Sequence, residues 1–175
     1  MKKLLTVIVL AAGLIFSNNA AAQVKIGYIR VDDMVGLMPE TAKLDSVLQT
    51  YQKDSINPQY AQIIELYNYK DSVFKDSVKT PASVRQQISK ELPQLLYQIQ
   101  NWQQIVNQAL QNKQDEYLAP LYRKVYKAIQ DIAKEKKYTY ILNKETLLVA
   151  PDADDISLLV ANKLNLKIPK SDSDN

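Results

Sequence analysis

Between Ala82 and Lys137 the apolar residues Ile88, Leu92, Leu95, Ile99, Trp102, Val106 and Ala109 recur at alternating steps of four and three. That is a heptad seam, the spacing that keeps one face of a helix against a partner helix. The segment reads as one long helix, and at 1.5 Å rise per residue it would extend roughly 80 Å. A compact domain of this chain's size is only about 40 Å across. The helix therefore has to project as an arm. A second helical pattern precedes it, from Glu40 to about Lys79. Its stripe opens with Leu44, Leu48 and Tyr51 and continues through Tyr60, Ile64, Tyr67, Phe74 and Val78. Thr80-Pro81 lies between the two, and proline fits the first position of the helix that follows. A tight connection there makes the helices antiparallel neighbours. Asn57-Pro58, Pro93 and Pro120 are expected bends, because an internal proline removes a hydrogen bond.

At both ends of the mature chain the period shortens. Val24, Ile26 and Tyr28 alternate with Ile29 and Val31, which predicts a strand, and Asp32 to Met38 follows as a helical turn. After Lys137, Tyr138–Leu142 and Thr146–Ala150 read as two strands joined by the hairpin-length loop Asn143-Lys144-Glu145. Asp154 or Asp155 then caps a helix whose Ile156, Leu159, Val160 and Leu164 share a face. The predicted organisation is a signal peptide (1–22), a first strand and helical turn (23–39), a helical hairpin arm (40–137) with its tip near 80–81, two strands and a C-terminal helix (138–169), and a disordered tail (170–175). The fold class is α+β, a long antiparallel helical hairpin projecting from a small β-body. Three short strands have exposed edges and little core. The body is therefore expected to be completed by the strands of several chains.

Composition narrows the chemistry. Lys2 and Lys3, the apolar run Leu4–Phe16 and the small residues Ala20-Ala21-Ala22 form an export signal, too short to span a bilayer at ~20 residues. Without Lys2 and Lys3 the formal net charge falls from +3 to +1, which gives no reason to expect nucleic acid. The chain has no cysteine and no histidine, so disulfides and thiol chemistry are excluded and the commonest general base and metal ligand are missing. Gly13, Gly27 and Gly36 are too scattered to build a phosphate loop. No catalytic residue, cofactor or metal site is expected. Asp152, Asp154 and Asp155 would suit a hard cation, but they precede a helix, whose N-terminus favours acids as caps. Asp115 and Glu116 are helix neighbours that point in different directions, a poor acid–base pair.

The opening KIGYIRVDDMVGLMPE, the stretch YLAPLYRKVYKAIQDIAKEKKYTYILN and the closing LLVAPDADDISLLVANKLNL resemble the Skp/OmpH family of periplasmic chaperones. The resemblance runs from Lys25 to about Leu166. It implies a homotrimer with a β-barrel body and three helical tentacles around a central cavity. It also implies ATP-independent holding of unfolded outer-membrane proteins in the periplasm. Many relatives have strongly basic arms, whereas Ser55–Asn112 here holds five basic and four acidic residues. The basic bias is local to the tip, at Lys75, Lys79, Arg85 and Lys90, where clients or an anionic membrane surface would be met.

A second apolar stripe, Leu66, Tyr69 and Val73, lies beside the seam of the first arm helix, and Leu96, Ile105 and Leu110 lie off the seam of the second. These either line a cavity and touch clients or widen the seam between the helices. Eight of the eleven tyrosines fall between Tyr51 and Tyr126, each with an apolar ring and a polar tip. Ten glutamines between Gln86 and Gln114 keep the second helix soluble without charge. Two functions fit: a holdase for unfolded outer-membrane proteins, or a cell-envelope scaffold that binds a folded partner through the arm tip.

Overall fold

The structure is a computed structural model that describes residues 24–167. The expected signal peptide (1–22) and tail (170–175) lie outside the described residues. Strand β1 (Ile26–Ile29) leads directly into helix α1 (Val31–Gly36). A short 3-10 turn, Thr41–Lys43, opens the outgoing side of the arm, and helices α2 (Leu44–Tyr51) and α3 (Asn57–Lys75) continue it. The return consists of α4 (Ala82–Gln100) and α5 (Trp102–Lys136), followed by strand β2 (Tyr140–Asn143) and helix α6 (Ser157–Lys163). The class is α+β, dominated by long helices with a small two-stranded sheet.

The sheet joins the two ends of the described chain. β1 and β2 are parallel, with Ile26 opposite Tyr140 and Ile29 opposite Asn143. Parallel neighbours need a long crossover, and here the whole arm is that crossover. On the other side of β1, the Ile156 N–H donates to the Tyr28 carbonyl at 3.0 Å. The expected hairpin of Tyr138–Leu142 with Thr146–Ala150 is not formed. Lys144–Thr146 is a 3-10 turn, and 147–150 runs on without a ladder partner among the described residues. β-branched residues favour a strand only where a neighbour supplies the ladder.

The core of the body is a helix-on-sheet cluster. Val125, Ile156, Val160 and Ala161 are fully buried, with Ile29, Met34, Val35, Leu121, Ala128 and Ile132 around them. Leu121, Val125, Ala128 and Ile132 follow steps of four, three and four, so one face of α5 forms the floor. Helix α5 stops because Lys137 takes the left-handed conformation at φ 58°, which lets the Tyr138 N–H reach back to Ala133 O at 2.9 Å. Asn165 ends α6 in the same way, with Leu166 N–H donating to Ala161 O at 2.8 Å. Gly27 is required by closeness: a Cβ there would stand 2.9 Å from both Ile156 and Tyr138 side-chain carbons.

Two expectations about the arm are corrected, the unbroken returning helix and the place of Val78. The single helix from Ala82 to Lys137 is broken at Asn101, whose φ of −100° and ψ of 14° leave the helical region. The Asn101 side-chain amide donates to Tyr97 O at 2.8 Å, beside the Asn101 N–H at 3.0 Å, a local side-chain bond of the kind that asparagine brings into helices. Pro93 and Pro120 lie inside α4 and α5. At Asn57-Pro58 the irregularity is a π-helical turn, Gln52–Ile56, after which Pro58 sits in the first turn of α3. Val78 is not on the seam. Helix α3 ends at Lys75, and Asp76 Oδ1 accepts from the N–H groups of Val78 (3.2 Å) and Lys79 (3.0 Å), turning the chain.

Candidate functional site

The arm is held as an antiparallel pair by contacts spaced along its length. Near the body the Tyr117 hydroxyl donates to Glu40 O at 2.9 Å, and Lys124 Nζ pairs with the Glu40 carboxylate at 2.8 Å. The Lys124 hydrogen bond holds the Glu40 carboxyl below its ordinary range. Farther out, Lys113 Nζ stands 5.6 Å from the Tyr51 ring centre, and the Tyr60 and Trp102 rings lie 5.0 Å apart. Ile56, Ile88 and Val106 are buried between the helices. Beyond them Lys70 pairs with Glu91, which also accepts from Gln87 at 3.0 Å. At the tip Thr80 Oγ1 donates to Val73 O at 2.9 Å.

The Lys70 bond, helped by Gln87, holds the Glu91 carboxyl below the ordinary glutamate range. A depressed acid stabilises the fold fully above its ordinary pKa, and that stabilisation is lost as pH falls through the lowered value. Glu91→Gln is therefore expected to flatten the acid side of the arm's stability profile, read as circular dichroism melts from neutral to acid pH. An unchanged acid side would show that the bridge contributes nothing.

The candidate client residues fall into two groups. Leu66, Tyr69, Leu96 and Ile105 are exposed, Tyr69 at 65%. Val73 and Leu110 are half-buried. The structure also exposes Tyr97, at 65%, which the stripe Leu96–Ile105–Leu110 passes over. Two grooves take in Tyr97 and Ile105, and Leu66 and Tyr69, whereas Leu96, Val73 and Leu110 line neither. One, of about 450 Å³, straddles the Asn101 break and is lined by Tyr97, Ile105 and side-chain amides. The other, of about 330 Å³, is bounded by Gln62, Glu65, Leu66 and Tyr69.

The four tip cations are not equivalent. Lys75 pairs with Asp71 at 2.7 Å, and this bond raises the Lys75 pKa. Arg85 is half-buried, and its Nε has no hydrogen-bond partner among the described residues. Lys79 and Lys90 are exposed.

The acidic group before α6 is built into the fold. Asp155 Oδ1 accepts from the Ser157 N–H at 2.8 Å, at the start of that helix. Burial raises the pKa of Tyr28, and the nearby Asp155, Asp152 and Asp154 raise it further. No group of three or more carboxylates suited to a metal ion occurs among the described residues, and no described helix is long and apolar enough to cross a membrane.

The family model for the OmpH-like outer membrane proteins matches residues 25–164. The chain belongs to that family. No curated protein matches it. A crystal structure from Caulobacter crescentus CB15, assigned as an OmpH-like outer membrane chaperone, is 16% identical, with a TM-score of 0.46. That match covers 86% of this chain and 92% of the other. The OmpH-like match takes in both strands, the whole arm and α6.

Proposed function

We propose that the mature chain is an ATP-independent periplasmic holdase that binds unfolded outer-membrane proteins in a cavity between helical arms and prevents their aggregation. Membership of the OmpH-like family supports a chaperone role. The observation that carries the finer reading is the set of exposed apolar and aromatic side chains along a slender arm, Leu66, Tyr69, Leu96, Tyr97 and Ile105. They lie outside the buried seam, so hairpin packing does not require them. Many weak, dispersed contacts hold a varied client and release it without nucleotide.

The same proposal includes a homotrimer, with the body completed as a barrel. Its support is the exposed apolar surface around the two-stranded sheet: Val24, Ile26, Tyr140, Leu148, Val149 and Leu158. The basic tip of Lys75, Lys79, Arg85 and Lys90 offers a contact for an anionic membrane surface. Retention of a urea-unfolded outer-membrane β-barrel on immobilised mature protein, without nucleotide, is the expected result. A pull-down dominated by one folded protein, with no denatured client retained, would instead make the chain an envelope scaffold.

A further inference from the structure

The middle of the arm carries almost no charge. From Leu92 to Asn112 there is no Asp, Glu, Lys or Arg, and Ser55–Ile64 on the outgoing side is equally free of them. Trp102 in the first stretch packs on Tyr60 in the second, which places the two neutral segments side by side. One face of the returning stretch is the seam. Beside it lies the groove at the Asn101 break, which reaches the seam at Ala109 and is otherwise walled by Tyr97, Asn101, Gln104, Ile105, Gln108 and Asn112. The break interrupts the rod there, and Ile105 is left 38% exposed.

We infer that this neutral band is a cradle for one uncharged, extended segment of an unfolded chain, of the length that crosses a bilayer as a β-strand. The inference rests on the holdase reading. Length is the first argument. The returning stretch, at twenty helical steps of 1.5 Å, is about 30 Å long, with the outgoing stretch alongside for about 14 Å of it, and 30 Å matches roughly nine extended residues at about 3.3 Å each. A membrane-spanning strand has about 9–11 residues.

Charge is the second argument. A membrane strand is apolar on its lipid side, and any formal charge on the cradle would have to be desolvated against it. The third is hydrogen bonding. Side-chain amides present donors and acceptors together, as the main chain of an extended segment does. Tyr97 and Ile105 supply the apolar contact. Capture at this band is thus independent of client charge, unlike capture at the basic tip.

The test uses the full mature protein and a fluorescent ten-residue peptide of alternating apolar and uncharged polar residues. Its Kd is expected to change by less than about twofold between low and high salt, because no ion pair is screened. Gln104→Glu with Gln108→Lys adds a helix-stabilising i,i+4 pair without changing net charge. It is expected to weaken peptide binding about tenfold through desolvation, with helicity and oligomeric state unchanged. Tyr97→Ser is the second variant and is expected to weaken binding in the same direction.

Peptide binding that falls tenfold with salt, or that both variants leave intact, would overturn the inference. So would a wild-type protein that retains a full-length unfolded barrel but not the peptide, and the holdase reading would survive that result. Retention of neither would remove the holdase reading itself.

Discussion

Val125→Asp is expected to unfold the body. Val125 has no solvent exposure and sits among Ile29, Met34, Ile156 and Val160. All of these neighbours are apolar, and none offers a hydrogen bond to a carboxylate. A buried, unpaired charge belongs to the small class of substitutions that cost about 4 kcal/mol or more. A domain of this kind has only about 5–15 kcal/mol of stability in total. Because α5 is both the floor of the body and the root of the arm, the two should be lost together. Tyr126→Asp, one residue along on the exposed face, is the control and should stay within about 0.5 kcal/mol of the wild type. Urea unfolding curves of both proteins decide it; a Val125→Asp midpoint equal to that of Tyr126→Asp would show that the cluster is not the core.

Leu148→Asp combined with Val149→Asp should have the opposite profile. Both side chains are exposed in the single chain, Val149 at 91%, in a segment with no ladder partner among the described residues. Charging them removes no contact within the chain, so its own fold should persist. If the proposed trimer is closed by neighbouring chains over this surface, two aspartates per chain create six buried charges in the assembly, at several kcal/mol each. Light scattering at micromolar concentration should then give a monomer mass for the variant and a trimer mass for the wild type. A wild-type monomer, or a variant that remains trimeric, would contradict the shared-body proposal.

How much was legible depended on which physical constraint was local. The seam from Ile88 to Ala109 and the turn at Thr80-Pro81 are statements about neighbouring residues, and the pattern carries them. The break at Asn101 is not visible in the apolar spacing, because the helix resumes after one residue and Trp102 and Val106 stay in step. Its only trace is an asparagine able to bond its own backbone. Thr146–Ala150 reads as a strand because its residue types suit one, yet pairing is set by what lies alongside. The hairpin-length loop also suggested adjacent strands. Instead the arm returns Tyr140 to Ile26, across the whole chain.

Among the candidate site residues, the periodic stripe singled out Leu96 and Ile105 but not Tyr97, which lines the groove with Asn101, Gln104 and Gln108 at steps of four, three and four. Nor does the pattern show that Lys75 is paired with Asp71, since a charge run carries no side-chain geometry. The stripe Leu121–Val125–Ala128–Ile132 had a clear signal in its four-three-four spacing, although that spacing alone does not distinguish a body core from more arm seam.

The measurement that bears most directly on function is the aggregation of a urea-unfolded outer-membrane β-barrel on dilution, with and without the mature protein and with no nucleotide. Suppression at about one trimer per client, with the client still able to fold into lipid afterwards, is the expected result. Unchanged aggregation at stoichiometric excess would contradict it.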